Sequence, residues 1–158
     1  MKAATVSEIK KELKLRSTEE LLELCLRLSR FKKENKELLT YLLFESEDEE
    51  AFIRGIKKDM EVQFEEININ SYFYIKKSVR KILREIKKYI RYSQNKETEV
   101  ELLLHFCTTL NEFSPSIERN VTLTNLYNRQ LDFIEKKVTA LHEDLQYDYK
   151  IELSELQL

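Results

Sequence analysis

Eight basic residues on one side of a predicted helix are the residues of this chain best placed to do chemistry. The segment from Tyr72 to Ser93 repeats apolar residues at helical spacing, and its cations fall on the arc beside that apolar stripe. The cations are Lys76, Lys77, Arg80, Lys81, Arg84, Lys87, Lys88 and Arg91. Tyr74 and Tyr92 border them. A cationic face with an aromatic margin can follow a phosphate backbone and stack bases, or can bind an acidic protein.

The sequence allows several kinds of interaction for this cationic face. Residues 45–66 form the preceding helix and carry nine acids against three bases, so we expect first a face that is solvated or paired with acids of the same chain. The sequence pI is about 5.9, well below that of a typical nucleic-acid-binding module, which favours an acidic protein over nucleic acid as an external partner. A membrane surface is the weakest alternative.

The other candidate groups indicate surface or core roles. Glu101 and His105 stand four residues apart on one helix face, where they could bind a metal or exchange a proton, but no second motif joins them, and we expect a solvent-facing pair. Cys25 and Cys107 lie on the same helix faces as leucines and are predicted to be buried, inert thiols. No catalytic residue, metal ligand or cofactor is therefore predicted, and the chain is interpreted as not being an enzyme.

Composition narrows the fold class. The 158 residues include one glycine and one proline, so glycine-rich phosphate loops and tight β-hairpins are nearly excluded. Acids and bases together make up 35% of the chain, which is typical of helices that each have one solvent-exposed face. The sequence predicts a single all-α domain over 1–158, with six or seven antiparallel helices in a bundle or a short superhelical stack.

Capping signals and apolar arcs place the helices that must position these residues. Capping boxes are predicted at Thr5, Ser17 and Ser46. The helix over 98–113 has apolar residues around a wide arc and is expected to be central. A last long helix is predicted from about residue 122 to 146. Residues 147–153 then alternate apolar and polar side chains, which predicts an extended or frayed C-terminal tail over 147–158.

The opening helix pair also carries a resemblance. The stretches LRSTEELLEL (15–24) and NKELLTYL (35–42) are leucine-rich and helical in pattern. Together they resemble a helix pair found in uncharacterised, all-helical bacterial proteins of unknown function. The resemblance implies an all-α body and a bacterial source, and it transfers no functional residue.

These observations favour a non-enzymatic helical binding module whose partner is another protein. The alternative is a nucleic-acid-binding regulator that uses the basic helix 72–93. The sequence also leaves open whether the chain forms a homo-oligomer. No apolar run approaches the roughly 20 residues of a membrane span, and no signal peptide or disulfide framework is visible, so a cytoplasmic location is expected.

Overall fold

The computed structural model describes residues 1–158 and contains helices but no strand. Eight α-helices follow one another: α1 (Val6–Leu13), α2 (Thr18–Phe31), α3 (Lys33–Thr40), α4 (Glu49–Glu65), α5 (Tyr72–Ser93), α6 (Lys96–Asn111), α7 (Val121–Val138) and α8 (Glu143–Glu155). A π-helical turn (Tyr41–Glu45) follows α3, and a 3₁₀ turn (Ile117–Arg119) precedes α7. The all-α prediction is confirmed. There are eight helices because the predicted helix over 122–146 ends early and a further helix covers 143–155.

The chain divides into two compact units, Met1–Phe44 and Glu45–Leu158. The hydrophobic core cluster lies in the second unit and draws on every helix from α4 to α8. The prediction of one domain over 1–158 stays a prediction, and each unit is described by itself below.

Helix α6 is the centre of the second unit, as its wide apolar arc predicted. Seven of its apolar side chains are buried: Val100, Leu102, Leu103, Leu104, Phe106, Cys107 and Leu110. These side chains lie on several sides of α6, which packs against α4, α5 and α7. Most helix packing of this unit is between neighbours along the chain, such as α8 on α7 and α5 on α6, and α4 also packs against α6 across α5.

The break between α7 and α8 is made by side chains, without glycine or proline. The amide of Gln146 donates to the Leu141 carbonyl at 2.8 Å and to the Thr139 carbonyl at 3.3 Å, which satisfies groups that the end of α7 leaves free. His142 then caps α8, because its Nδ1 accepts from the backbone N–H of Asp144 at 3.3 Å. One continuous helix to residue 146 was therefore a wrong prediction.

Of the two forms predicted for 147–158, the extended one is wrong, because α8 is helical to Glu155; the alternative, a helical tail that packs on the body, is the form observed over most of this range. Its buried contacts come from Tyr149, Leu153 and Leu156, which stand four and three residues apart, the spacing of a helix face. Tyr147 and Ile151, which completed the apparent alternation, are exposed. The hydroxyl of Tyr127 in α7 donates to the Leu156 carbonyl at 2.5 Å and fixes the end of α8.

The first unit has well-capped helices but no core of its own. Thr5 and Glu8 form the predicted capping box, and Ser17 caps α2 by accepting from the backbone N–H of Glu20. None of α1, α2 and α3 buries a single residue. Cys25 is exposed, so its predicted burial is wrong. Its neighbouring leucines have no second layer of helices that would cover them within this unit.

One further cap differs from prediction. Helix α4 begins at Glu49, and its cap is Asp48, whose carboxylate accepts from the backbone N–H of Ala51 at 3.0 Å. Ser46 was predicted in this role and lies in the turn before the helix.

Candidate functional site

Helix α5 has the bounds that the sequence predicted, from Tyr72 to Ser93. Its apolar stripe is buried: Ile75, Val79, Ile82, Leu83, Ile86 and Ile90. That stripe packs against α4 and α6 and fixes the rotation of the helix about its axis. The adjoining arc with the eight cations is therefore held outward by core packing rather than by its own interactions.

The cations of α5 are largely exposed and unpaired. Six are exposed: Lys77, Arg80, Lys81, Arg84, Lys87 and Arg91. Lys76 and Lys88 are half-buried. Apart from Lys88, which has a further interaction, none of the eight makes an ion pair within 4.0 Å. Of the two predicted alternatives, pairing with acids of 45–66 is wrong for these seven residues, and six of them are solvated.

Several acids of 45–66 are engaged in other contacts. Glu50 pairs with Arg54 of its own helix at 3.9 Å, and Glu61 lies beside His105 of α6. Glu49 accepts hydrogen bonds from the hydroxyls of Ser93 and Thr98, where α5 ends and α6 begins. Neighbouring helices of opposite charge thus meet through their buried and capping sides, while the cationic arc of α5 faces away.

The aromatic margin differs from the predicted one. Tyr74 is 46% exposed, as the hypothesis requires, but Tyr92 is only 9% exposed and packs edge-on against Tyr89, with ring centroids 6.0 Å apart. Tyr92 is therefore not a margin residue. Phe73, which the sequence reasoning overlooked, is 67% exposed and contacts the Tyr74 ring edge-on at 5.5 Å. Its helical position was the available signal, because it falls within the cationic arc.

Phe73 heads a straight row along the outside of α5. Successive steps of four and three residues place one line of side chains on the same side of the helix: Phe73, Lys77, Arg80, Arg84, Lys87 and Arg91. At 1.5 Å per residue the row is about 27 Å long, with about 21 Å between its first and last cations. Below, these six residues are called the cationic row.

A second polar cluster surrounds His105, where the sequence predicted a solvent-facing pair. Lys57 of α4 lies with its Nζ 2.7 Å from Glu101 Oε1, and His105 Nε2 lies 3.0 Å from Glu61 Oε1 without hydrogen-bond alignment. The Tyr149 hydroxyl of α8 donates to Glu97 at 3.0 Å. Glu101 and His105 are half-buried, so the predicted solvent exposure is wrong. Side chains of α4 and α8 cover that side of α6.

Burial sets the proton affinities in this cluster. It lowers the pKa of His105, with the charge of Lys57 acting in the same direction. It raises the pKa of Glu152, and it raises that of Tyr149 together with the hydrogen bond to Glu97. The open pocket between these side chains measures about 250 Å³. Its groups pair with one another, and no nucleophile, base and orienting group are aligned within it.

Neither thiol joins this cluster, and no metal site is present. Burial raises the pKa of Cys107 to about 12, so the thiol stays protonated and unreactive. No group of three or more histidine, cysteine, aspartate or glutamate side chains is arranged to hold a metal ion.

Compared with known proteins, the chain matches no family model, no curated protein and no solved structure. None of the helices is both long and apolar enough to cross a lipid bilayer.

Proposed function

We propose that this chain is a non-enzymatic binding module that holds an acidic protein partner on the cationic face of α5. One observation supports it above all: seven of the eight cations make no ion pair within the chain, although acidic α4 is the adjacent helix. A surface that keeps so many like charges close together is destabilised by their mutual repulsion. An external anion relieves that repulsion on binding.

The shape of the face favours a helical partner. A row with steps of three and four residues matches the spacing at which an acidic helix presents its own side chains. The net charge of −2 also gives the whole chain little general attraction for nucleic acid. Free thiols at Cys25 and Cys107 fit a reducing compartment, and a cytoplasmic, bacterial setting remains part of the proposal.

A nucleic-acid-binding regulator is the second candidate, and the exposed rings of Phe73 and Tyr74 favour it. Base stacking on aromatic rings beside a basic groove is the usual mode of single-strand recognition. In that case the bases stack at the start of the cationic row, and the phosphates follow its cations.

The test compares two ligands and two matched variants. The ligands are a glutamate-rich helical peptide and a single-stranded oligonucleotide of equal charge, titrated at about 150 mM salt, where the Debye length is about 8 Å. The first variant carries Lys77→Glu, Arg84→Glu and Arg91→Glu. The control carries Lys10→Glu, Lys32→Glu and Lys136→Glu, which reverse three exposed cations away from α5 and change the net charge equally.

We expect the peptide to bind more tightly than the oligonucleotide, and the α5 variant to weaken binding about tenfold or more while the control does not. The α5 variant should unfold at the same or a slightly higher denaturant concentration than the wild type, because it breaks no ion pair and relieves repulsion among the remaining cations. Tighter oligonucleotide binding that is lost in Phe73→Ala would establish the second candidate instead. Binding of neither ligand at tens of micromolar, or equal loss in the control, would reject both.

A further inference from the structure

A groove between α1 and α2 presents apolar surface that the first unit does not cover. It measures about 930 Å³. Its apolar floor consists of Ile9, Leu13 and Leu24, which are 46%, 38% and 41% exposed. Because the three helices of this unit bury no residue, nothing within the unit covers this floor.

Charges of both signs line the same groove, and they are separated along α2. Glu20 and Glu23 lie towards its beginning, and Arg27 and Arg30 towards its end. Glu20 has a loose partner in Arg16 at 3.7 Å. The other three make no ion pair within the chain. The α2 wall of the groove therefore has one acidic half and one basic half, both with unused pairing capacity, while α1 adds Glu8 and Glu12 to the opposite wall.

The positions of these charges are related by a two-fold symmetry. Glu23 and Arg27 are equally distant from position 25, and Glu20 and Arg30 are also equally distant from it. When two copies of α2 cross in antiparallel fashion at the level of that position, each acid of one copy lies level with an arginine of the other. Leu24 then lies close to the axis. A two-fold axis repeats every contact, so each favourable pair occurs twice.

We propose that the occupant of this groove is α2 of a second copy of the chain, in an antiparallel, two-fold symmetric dimer. The charge pattern selects this occupant. A parallel pair of α2 helices places acid against acid, and a uniformly acidic or basic helix leaves one half of the groove repelled. The proposal does not involve α5 and is independent of the proposed function.

Charge reversal in the full chain tests the symmetry directly, by sedimentation velocity over a concentration series. Arg27→Glu alone places acid opposite acid at both symmetric contacts, and Glu23→Arg alone places base opposite base. Either variant should raise the dissociation constant of the dimer about tenfold, because it turns two exposed ion pairs into contacts between like charges. The double variant Glu23→Arg/Arg27→Glu exchanges the charges and should restore the wild-type dissociation constant within about threefold.

Mixing the two single variants is the sharpest test. Opposite signs then face each other across the two-fold axis, so the mixture should dimerise as well as the wild type although neither component does so alone. Helix content by circular dichroism checks that each variant is folded, and Lys36→Glu, an exposed reversal on α3 outside the groove, should leave dimerisation unchanged. A wild type that is monomeric at about 100 µM overturns the proposal. A dimer indifferent to Arg27→Glu, or single variants that the mixture does not rescue, overturns it equally.

Discussion

The two cysteines show how far burial alone separates residues of the same type. Cys25 is exposed on α2, whereas Cys107 is fully buried in α6 with a pKa raised to about 12 by burial. The thiolate is the reactive form, so a raised pKa and lack of access both suppress modification.

At pH 8 we therefore expect a maleimide to label Cys25 within minutes and Cys107 only after denaturation, with intact mass reporting one addition to the native chain. The Cys25→Ser variant is the control and should take up no label while folded. Fast native labelling of Cys107 would show that the core around α6 opens far more readily than its packing implies.

At the scale of elements, the apolar arcs located the buried faces of α5 and α6 but not every covering helix. The stripe of α5 and its bounds were predictable because eight or more apolar positions repeat at helical spacing. The burial of Glu101 and His105 was not predictable, because a helical wheel does not show which polar side of a helix is covered by another helix. Tyr92 is the converse case: it lies on the polar side of α5 and is nevertheless covered.

Helix α8 was missed for a related reason. Seven residues are too few for the helical and alternating patterns to be separated, and Tyr149 and Leu153 satisfy both. Two hydrogen bonds hold α8 against its neighbours: the Tyr149 hydroxyl donates to Glu97 of α6, and the Tyr127 hydroxyl of α7 donates to the Leu156 carbonyl. Such contacts between helices produce no periodic pattern in the sequence.

Truncations in the core test these element assignments. Leu104→Ala and Ile82→Ala each remove a side chain that is at most 3% exposed, and each should lower the free energy of unfolding by about 2–5 kcal/mol in urea denaturation. Val121→Ala is the matched control at a 76% exposed helical site, where a change within about 0.5 kcal/mol is expected. A loss below about 1 kcal/mol at both core sites would mean that the faces of α5 and α6 are misassigned.

At the scale of the whole molecule, the two units differ in how their stability arises. Residues 45–158 hold the core cluster, and residues 1–44 contain three helices with none of their residues buried. Short helices without packing are only marginally stable in water.

Expressed separately, the fragment 45–158 should therefore melt cooperatively with a strongly helical spectrum. The fragment 1–44 should be mostly unfolded at low micromolar concentration. Circular dichroism against temperature measures both. A cooperative transition in the short fragment, or none in the long one, would contradict this division of stability.

The order in which the helices pack has a consequence for how quickly the core can form. In 45–158 most helix pairs in contact are neighbours along the chain, and the main exception, α4 on α6, skips only α5, so most native contacts close short loops. Short loops cost little chain entropy before the first contacts stabilise them, and helical proteins with such local topology fold in microseconds to milliseconds. After a stopped-flow dilution from urea, the main folding phase of this unit should thus fall in the microsecond-to-millisecond range, and it should be limited by helix docking rather than by a search for distant partners.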